Sequence, residues 1–197
     1  MNWNKDIPIV LEELAKSGEK HSCIMASVVL LDVLRNKGIK GAYPLTVKPR
    51  VFNPKATERL NNRQIPTTQD EIAQWQADGC GIIVIGHGDG SAKAWPAHLV
   101  VIIPNAIKEK DALCDLTITQ ANHPDWGIKL GPVFFGVRDE YVKGNQDFGV
   151  VINGCRILYR AFPDDNSFKD TPLWKPSLKR EMIVKKILKR LSTESLK

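Results

Sequence analysis

The feature that most constrains this chain is a nearly unbroken apolar run that follows a single cysteine. Within residues 24–34 only Ser27 and Asp32 are polar, and Lys37-Gly38 closes the run. A segment of this kind favours a helix that is buried on most of its sides rather than laid on a surface. It is much shorter than the ~20 residues that a membrane-spanning helix needs. We therefore expect a soluble fold built around a helix that begins near Ser22.

The rest of the pattern predicts an α+β fold: helices come first, a mostly antiparallel sheet follows, and a helix ends the chain. The chain has 197 residues, of which 43% are hydrophobic, which is enough for a domain with a core of its own. The predicted helices cover residues 6–17, 22–37 and 68–77. The predicted strands cover residues 43–52, 81–85, 98–103, 112–118, 133–137, 150–152 and 156–159. Residues 55–68 are predicted as a loop, and Asn153-Gly154 as a hairpin turn.

The C-terminal part of the chain is predicted to dock on the main domain. Residues 1–162 are expected to form that domain, and residues 163–197 a proline-containing linker and a basic helix. The basic residues of this helix account for much of the net charge of +6. An apolar stripe at helical spacing favours docking over nucleic-acid binding. Its members are Met182, Ile183, Ile187, Leu188 and Leu191.

The cysteines indicate free thiols and a reducing compartment. Cys23, Cys80, Cys114 and Cys155 are widely spaced, and no apolar signal segment opens the chain. We therefore expect a cytoplasmic protein with no membrane segment. No two cysteines have the spacing of zinc ligands, so neither a metal nor another cofactor is expected.

Cys23 stands where a helix can activate a thiol. The unpaired backbone N–H groups of a first helical turn, and the positive end of the helix dipole, stabilise a thiolate. The same N–H groups can face a developing oxyanion. The alternative is a buried structural cysteine, which is a common role for this residue type.

A base and an orienting group for such a thiol are predicted on one hairpin. His98 opens the apolar segment "HLVVIIP", and Asp115 lies in the apolar segment "ALCDLTI". A turn centred between Ala106 and Ile107 would place His98 directly opposite Asp115 on one face of the sheet. The carboxylate could then accept from one imidazole nitrogen and leave the other to face the thiol. The alternative is a His–Asp pair that only satisfies itself within the sheet.

These segments resemble the papain-like fold in its transglutaminase-like branch. "HSCIMASVVLLDVLRNKGIKGAYPLTV" is similar to the nucleophile helix and following strand of that branch, and "WPAHLVVIIP" and "LCDLTITQAN" to its histidine and aspartate strands. The resemblance covers roughly residues 15–137. It implies a Cys23–His98–Asp115 triad on a nucleophile helix packed against an antiparallel sheet, and acyl transfer or amide hydrolysis through a thioester. The substrate would be a peptide, a protein or a small amide or amine.

The sequence departs from the family pattern at two positions. Ile24 stands where these families often place tryptophan after the nucleophile. Glu19 and Lys20 occupy the region where papain has an upstream glutamine for the oxyanion. The aspartate in third place fits transglutaminases and arylamine N-acetyltransferases better than papain, which uses asparagine. The fold and the triad therefore carry over better than any particular activity.

Three further residues are weaker candidates for contacts with substrate or oxyanion. Gln120 and Asn122 follow the Asp115 strand, and the alternative is that they cap a turn before Pro124. Trp95 lies near His98 and could flank a cleft, as could Trp126, although either could also belong to the core.

Two other interpretations remain open at this point. "GIIVIGHGDG" and "GVVINGC" resemble the caspase-like pattern, with His87 and Cys155 as a dyad, which requires a parallel sheet with crossover helices. The non-enzymatic alternative is a binding or scaffold protein on the same fold, with the basic helix as its binding element.

Overall fold

The computed structural model describes residues 2–19, 22–86, 95–108, 110–144 and 146–194. The first helix, α1, covers Trp3–Lys16, and the second, α2, covers Cys23–Asn36. α1 begins earlier than predicted, because Asp6 does not cap it but reaches back to the backbone N–H of Asn2. The apolar run forms α2 as expected, and ten of its side chains are buried.

The region between the second helix and the hairpin contains one helix that the sequence pattern did not predict. β1 covers Tyr43–Phe52, α3 covers Pro54–Asn61, α4 covers Gln69–Ala77 and β2 covers Ile82–Val84. The prediction of a loop over 55–68 is therefore wrong for its first half. The Asn53 side chain accepts a hydrogen bond from the Ala56 N–H and caps α3, while Pro54 occupies its first position.

The second half of the chain supplies the remaining strands. The elements are β3 (His98–Ile107), β4 (Lys110–Asp115), β5 (Val133–Val137), α5 (Asp139–Val142), β6 (Phe148–Ile152), β7 (Cys155–Phe162) and α6 (Leu178–Glu194). Asn153 and Gly154 both have positive φ and join β6 to β7, as predicted for a two-residue hairpin turn. The strands of the β3–β4 hairpin extend closer to its turn than predicted.

The strands form one antiparallel sheet in the order β5-β4-β3-β1-β7-β6. β7 pairs along one edge of β1, and β3 and β2 share its other edge. The ring centroids of Phe135 on β5 and Phe148 on β6 are only 6.4 Å apart, although these are the two outer strands. The sheet therefore curls. The protein is thus a mixed α+β structure with an antiparallel sheet.

Each face of the sheet packs against a separate core. α1, α2 and α6 cover one face, where Val101, Ile103 and Cys114 are buried. The concave face buries Val100, Leu113 and the inward residues of β1 and β7. Because successive strand residues point to opposite faces, His98 and Asp115 belong to the concave face.

The C-terminal helix packs on α1 and α2. Ile183, Val184, Ile187 and Leu191 are its buried residues, so Val184 replaces Met182 in the predicted stripe. The Arg180 guanidinium binds both carboxylate oxygens of Asp32, at 2.6 and 2.8 Å. The division at residue 162 remains a prediction.

Across the described ranges, none of the helices has both the length and the apolar character needed to cross a bilayer.

Candidate active site

Cys23 occupies the first position of α2. The Ser22 side chain caps the helix by accepting a hydrogen bond from the Met25 N–H at 3.1 Å. The N–H groups of Cys23 and Ile24 lie in the first turn, where a helix offers no carbonyl partner. The thiol is neither fully buried nor fully exposed. Cys23 therefore combines access to solvent with the donor-rich end of a helix.

Two contacts hold this helix end against the start of β3. Ser27, one turn along α2 from Cys23, donates its hydroxyl hydrogen to the backbone carbonyl of Leu99 at 3.2 Å. Ile24 and Leu99 also pack together with Phe168, and Cys23 borders this cluster. Because Leu99 directly follows His98, both contacts fix the position of Cys23 relative to the imidazole.

His98 and Asp115 meet, although not in the predicted register. Val101 pairs with Cys114, which places Asp115 opposite Val100 rather than opposite His98. The hairpin turn lies later than predicted, because Ile107 pairs with Lys110, and an irregularity between Ile103 and Ile107 offsets part of that displacement. The shift is by two residues, so both side chains stay on the same face and become diagonal neighbours. His98 Nε2 lies 3.0 Å from each carboxylate oxygen of Asp115.

Asp115 is held by two further donors. The Thr117 N–H donates to Oδ1 at 3.0 Å, and the Tyr159 hydroxyl donates to Oδ2 at 3.2 Å. His98 and Asp115 have no exposed side-chain surface, and Tyr159 is also fully buried. Burial, followed by the charge of Asp115, raises the pKa of Tyr159 well above its ordinary value, so the phenol remains a neutral donor.

Tyr159 is the site residue that the sequence analysis missed. A signal was present, because Cys155, Ile157, Tyr159 and Ala161 alternate along β7 and all point inward. A tyrosine in such a series buries its hydroxyl, and a buried hydroxyl needs a partner.

The environment of His98 favours its protonated form. Burial alone lowers the pKa of the imidazole, but the charge and hydrogen bond of Asp115, followed by the Cys23 side chain, raise it to about 10. Because a carboxylate only accepts, Nε2 carries a hydrogen. Nδ1 is buried and makes no hydrogen bond to any described residue. The Cys23 side chain thus raises the pKa of the imidazole, although its sulfur does not form a hydrogen bond of good geometry with Nδ1.

The linker, residues 163–177, forms one wall beside Cys23. Trp95 donates its indole N–H to the Ser167 hydroxyl at 2.8 Å, and its ring meets that of Phe168 edge-on. Trp174 packs against Phe168 on another side. Trp95 therefore lies in the cluster that borders the thiol.

Trp126 lies elsewhere. Its ring stacks on His123 and lies against Gly81, and it lines a separate groove of about 440 Å³ beside α4 and β2.

The two polar candidates after β4 lie in the turn structure that follows it. Asn122 forms two hydrogen bonds with the backbone of Leu130, so its amide holds the 122–130 loop. Gln120 is the exposed residue of a 3-10 turn over Ile118–Ala121, whose first and last residues are buried. The hydrogen bonds that hold Asp115 come from Thr117 and Tyr159, whereas the amide of Asn122 is bonded to Leu130.

The caspase-like alternative depends on Cys155 and on His87, which lies outside the described residues. Cys155 has no exposed surface, and its Sγ lies 3.8 Å from the carbonyl of Gly127. Burial raises the pKa of this thiol. All strand pairs in the described part of the chain are antiparallel, whereas that alternative needs a parallel sheet.

The fold and the site together define a mixed α+β protein in which a thiol at a helix N-terminus adjoins a buried histidine–aspartate pair. The chain matches no protein-family model, and no curated protein and no solved structure is significantly similar to it. Among the described residues, no three His, Cys, Asp or Glu side chains form a group that could hold a metal ion.

Proposed function

We propose that this protein is a cysteine enzyme of the papain-like, transglutaminase-like kind, which transfers or hydrolyses acyl groups through a thioester. One observation carries the proposal. His98 presents one nitrogen to Asp115, keeps the other without a described partner, and is affected by the Cys23 side chain. Thiol, imidazole and carboxylate have this order in enzymes that activate a nucleophile with a base and an orienting group.

The first half of the reaction forms the thioester. His98 Nδ1 holds the proton that the Cys23 thiol gives up, and Asp115 stabilises this imidazolium through Nε2–H, in keeping with the raised pKa of His98. The thiolate then attacks an amide or ester carbonyl, while the backbone N–H groups at the start of α2 donate to the oxyanion. Collapse of the tetrahedral intermediate breaks the bond to the leaving group, which takes the proton from Nδ1.

The second half releases the acyl group. Nδ1 now accepts a proton from water or from an amine, which attacks the thioester carbonyl. The sulfur leaves as a thiolate and regains the imidazolium as its partner. Water makes the protein a peptidase or amidase, and an amine makes it a transglutaminase or acyltransferase.

Thiol labelling tests the proposal against its alternatives. The protein is treated with iodoacetamide at neutral pH, and the alkylated cysteine is located by mass spectrometry at successive times. We expect Cys23 to react first and His98→Ala to slow it, because the thiolate loses its imidazolium partner. Preferential labelling of Cys155 would favour the caspase-like alternative. Slow labelling of all four cysteines would favour a non-catalytic binding protein.

A turnover assay then tests catalysis itself. Fluorogenic peptide amides, with and without an added primary amine, are offered to the wild-type protein and to Cys23→Ala. The variant removes only the sulfur at the end of a helix, so it should fold normally and have no activity. Activity retained by Cys23→Ala would overturn the assignment of the nucleophile.

A further inference from the structure

Three cationic side chains form a strip on the helix-covered face of the sheet, next to the site. Lys48 and Arg50 alternate along β1, and Arg160 lies directly opposite Lys48 on β7. Val47, Val51 and Tyr159, which are adjacent to these residues in the chain, point into the concave core. Because successive strand residues alternate between faces, Lys48, Arg50 and Arg160 all point to the other face. We call these three residues the cationic strip.

The cationic strip begins one strand position from the site. Thr46, which precedes the strip on the same face of β1, pairs with Leu99 of the cluster that borders Cys23. Val47 pairs with His98, and Lys48 is the next residue along β1. Adjacent strands are about 4.8 Å apart and successive residues about 3.3 Å, so the backbone of Lys48 lies roughly 6 Å from the start of β3.

The charge of the strip is only partly balanced. Asp147 binds both Arg50 and Arg160, and it is the one carboxylate that forms ion pairs with the strip among the described residues. Although burial opposes the effect, hydrogen bonding to Arg160 and the charge of Arg50 lower the pKa of Asp147, so it remains ionised. Three cations against one anion leave two positive charges.

Lys48 is the unpaired member of the strip. It is half-buried and forms no ion pair with any described residue. Like charges that lie directly opposite on neighbouring strands are destabilising, and the Lys48–Arg160 pair is such an arrangement. Asp164 and Asp165 lie at the start of the linker, but neither forms an ion pair with the strip; the Asp165 carboxylate accepts instead from Ser167.

We infer that the cationic strip binds an anionic group of the substrate, so that the preferred acyl donor is a peptide or amide that carries a carboxylate near its scissile bond. The inference rests on the proposed function for its connection to Cys23. An anionic ligand would supply the charge that Lys48 lacks and would relieve its repulsion with Arg160. The positive electrostatic potential of the strip would also raise the local concentration of anionic substrates at the thiol.

A pair of alkylating reagents measures this field at the sulfur. Iodoacetate and iodoacetamide both react with a thiolate, which forms an S–C bond as iodide leaves, but only iodoacetate is an anion. The ratio of their rate constants at Cys23 is compared between the wild-type protein and Lys48→Gln at low ionic strength. A unit charge roughly 10 Å from a thiolate would change the ratio by about two- to fourfold. The difference should disappear in about 1 M salt.

The control variant changes a charge that lies on α6, outside the strip. Lys185→Gln removes an exposed charge from α6 and should leave the ratio unchanged. The helix dipole and His98 act equally in all three proteins, so they cancel in the comparison. Rapid alkylation of Cys23 with the same ratio in the wild-type protein and Lys48→Gln would overturn the inference while leaving the proposed function intact.

Failure of Cys23 to react with either reagent would overturn the proposed function. A binding measurement tests the cationic strip even in that case. Fluorescence anisotropy of a labelled oligoglutamate peptide is recorded with each protein. We expect the dissociation constant to increase severalfold in Lys48→Gln and to stay constant in Lys185→Gln. Equal binding by the wild-type protein and Lys48→Gln would overturn the inference.

Discussion

Ser27 donates a hydrogen bond to the backbone carbonyl of Leu99, and this contact joins two segments that are 72 residues apart in the chain. It connects the helix that carries Cys23 to the residue after His98. The relative position of thiol and imidazole therefore depends on a hydroxyl group that belongs to neither of them.

Ser27→Ala should weaken this connection. Loss of the buried hydrogen bond is expected to lower the free energy of unfolding by about 1 kcal/mol and to slow the alkylation of Cys23. Urea unfolding and iodoacetamide kinetics measure the two effects. Ser192→Ala is the matched control, because Ser192 is exposed and its hydroxyl donates to the Leu188 carbonyl within α6. Equal alkylation rates in wild type and Ser27→Ala would show that the contact does not position the thiol.

Tyr159→Phe should disturb the carboxylate without touching the imidazole. Because the hydroxyl donates to an ionised, buried group, its loss should cost about 1.5 to 3 kcal/mol of folding free energy. Tyr141→Phe removes a hydroxyl from the same aromatic cluster and should cost much less. Chemical denaturation measures both. A similar cost for the two variants would contradict the special position of Tyr159.

Asp115→Asn should reverse the direction of the pKa shift at His98. The carboxylate is what opposes desolvation, so without its charge burial dominates and the imidazole titrates below its ordinary pKa of 6.5. NMR titration of the His98 ring protons measures this, with the wild-type protein expected to titrate at about 10. Identical titration in both proteins would contradict the assigned interaction.

The raised pKa of His98 also predicts how stability depends on pH. A folded-state pKa above the unfolded value means that the folded protein binds the proton more tightly. The stabilising contribution is therefore complete below pH 6.5, decreases as the pH rises, and is lost near pH 10. The measurement is urea unfolding at pH 6, 8 and 10 of Cys23→Ala and of the double variant that also carries His98→Gln. The difference between their free energies of unfolding should shrink as the pH increases. A constant difference would count against the raised pKa.

Arg180→Ala should release the C-terminal helix. The guanidinium binds both oxygens of Asp32 and the carbonyl of Trp174, and its side chain is only 15% exposed. We expect a loss of about 1 to 3 kcal/mol and faster hydrogen exchange in α6. Arg138→Ala breaks an exposed ion pair with Glu140 and should leave both quantities nearly unchanged. Unchanged exchange in Arg180→Ala would mean that apolar packing alone holds the helix.

The helix of Cys23 and the strands of His98 and Asp115 could be predicted from the sequence because each depends on a local apolar pattern. The position of the hairpin turn could not be predicted, because the polar residues after Ile103 carry no periodic signal and the strands in fact continue until Ile107 pairs with Lys110. The face of each side chain was still right, because a shift of two residues preserves the alternation.

Two other features depended on context that a local pattern does not contain. Asn53-Pro54 follows the end of β1 and also begins α3, and a helix after this pair depends on the packing of Ala56 with Trp75, which a local pattern does not contain. The hydroxyl of Tyr159 meets Asp115 across β1 and β3, and that proximity comes from the curl and order of the sheet.

The position of the pair within its hairpin has a practical consequence. His98 is the first residue of β3 and Asp115 is the last of β4, so both lie at the end of the hairpin opposite its turn. The irregular residues and the exposed Lys108 are at the other end. An epitope tag or a fluorophore inserted beside Lys108 would therefore label the protein without disturbing the His98–Asp115 pair.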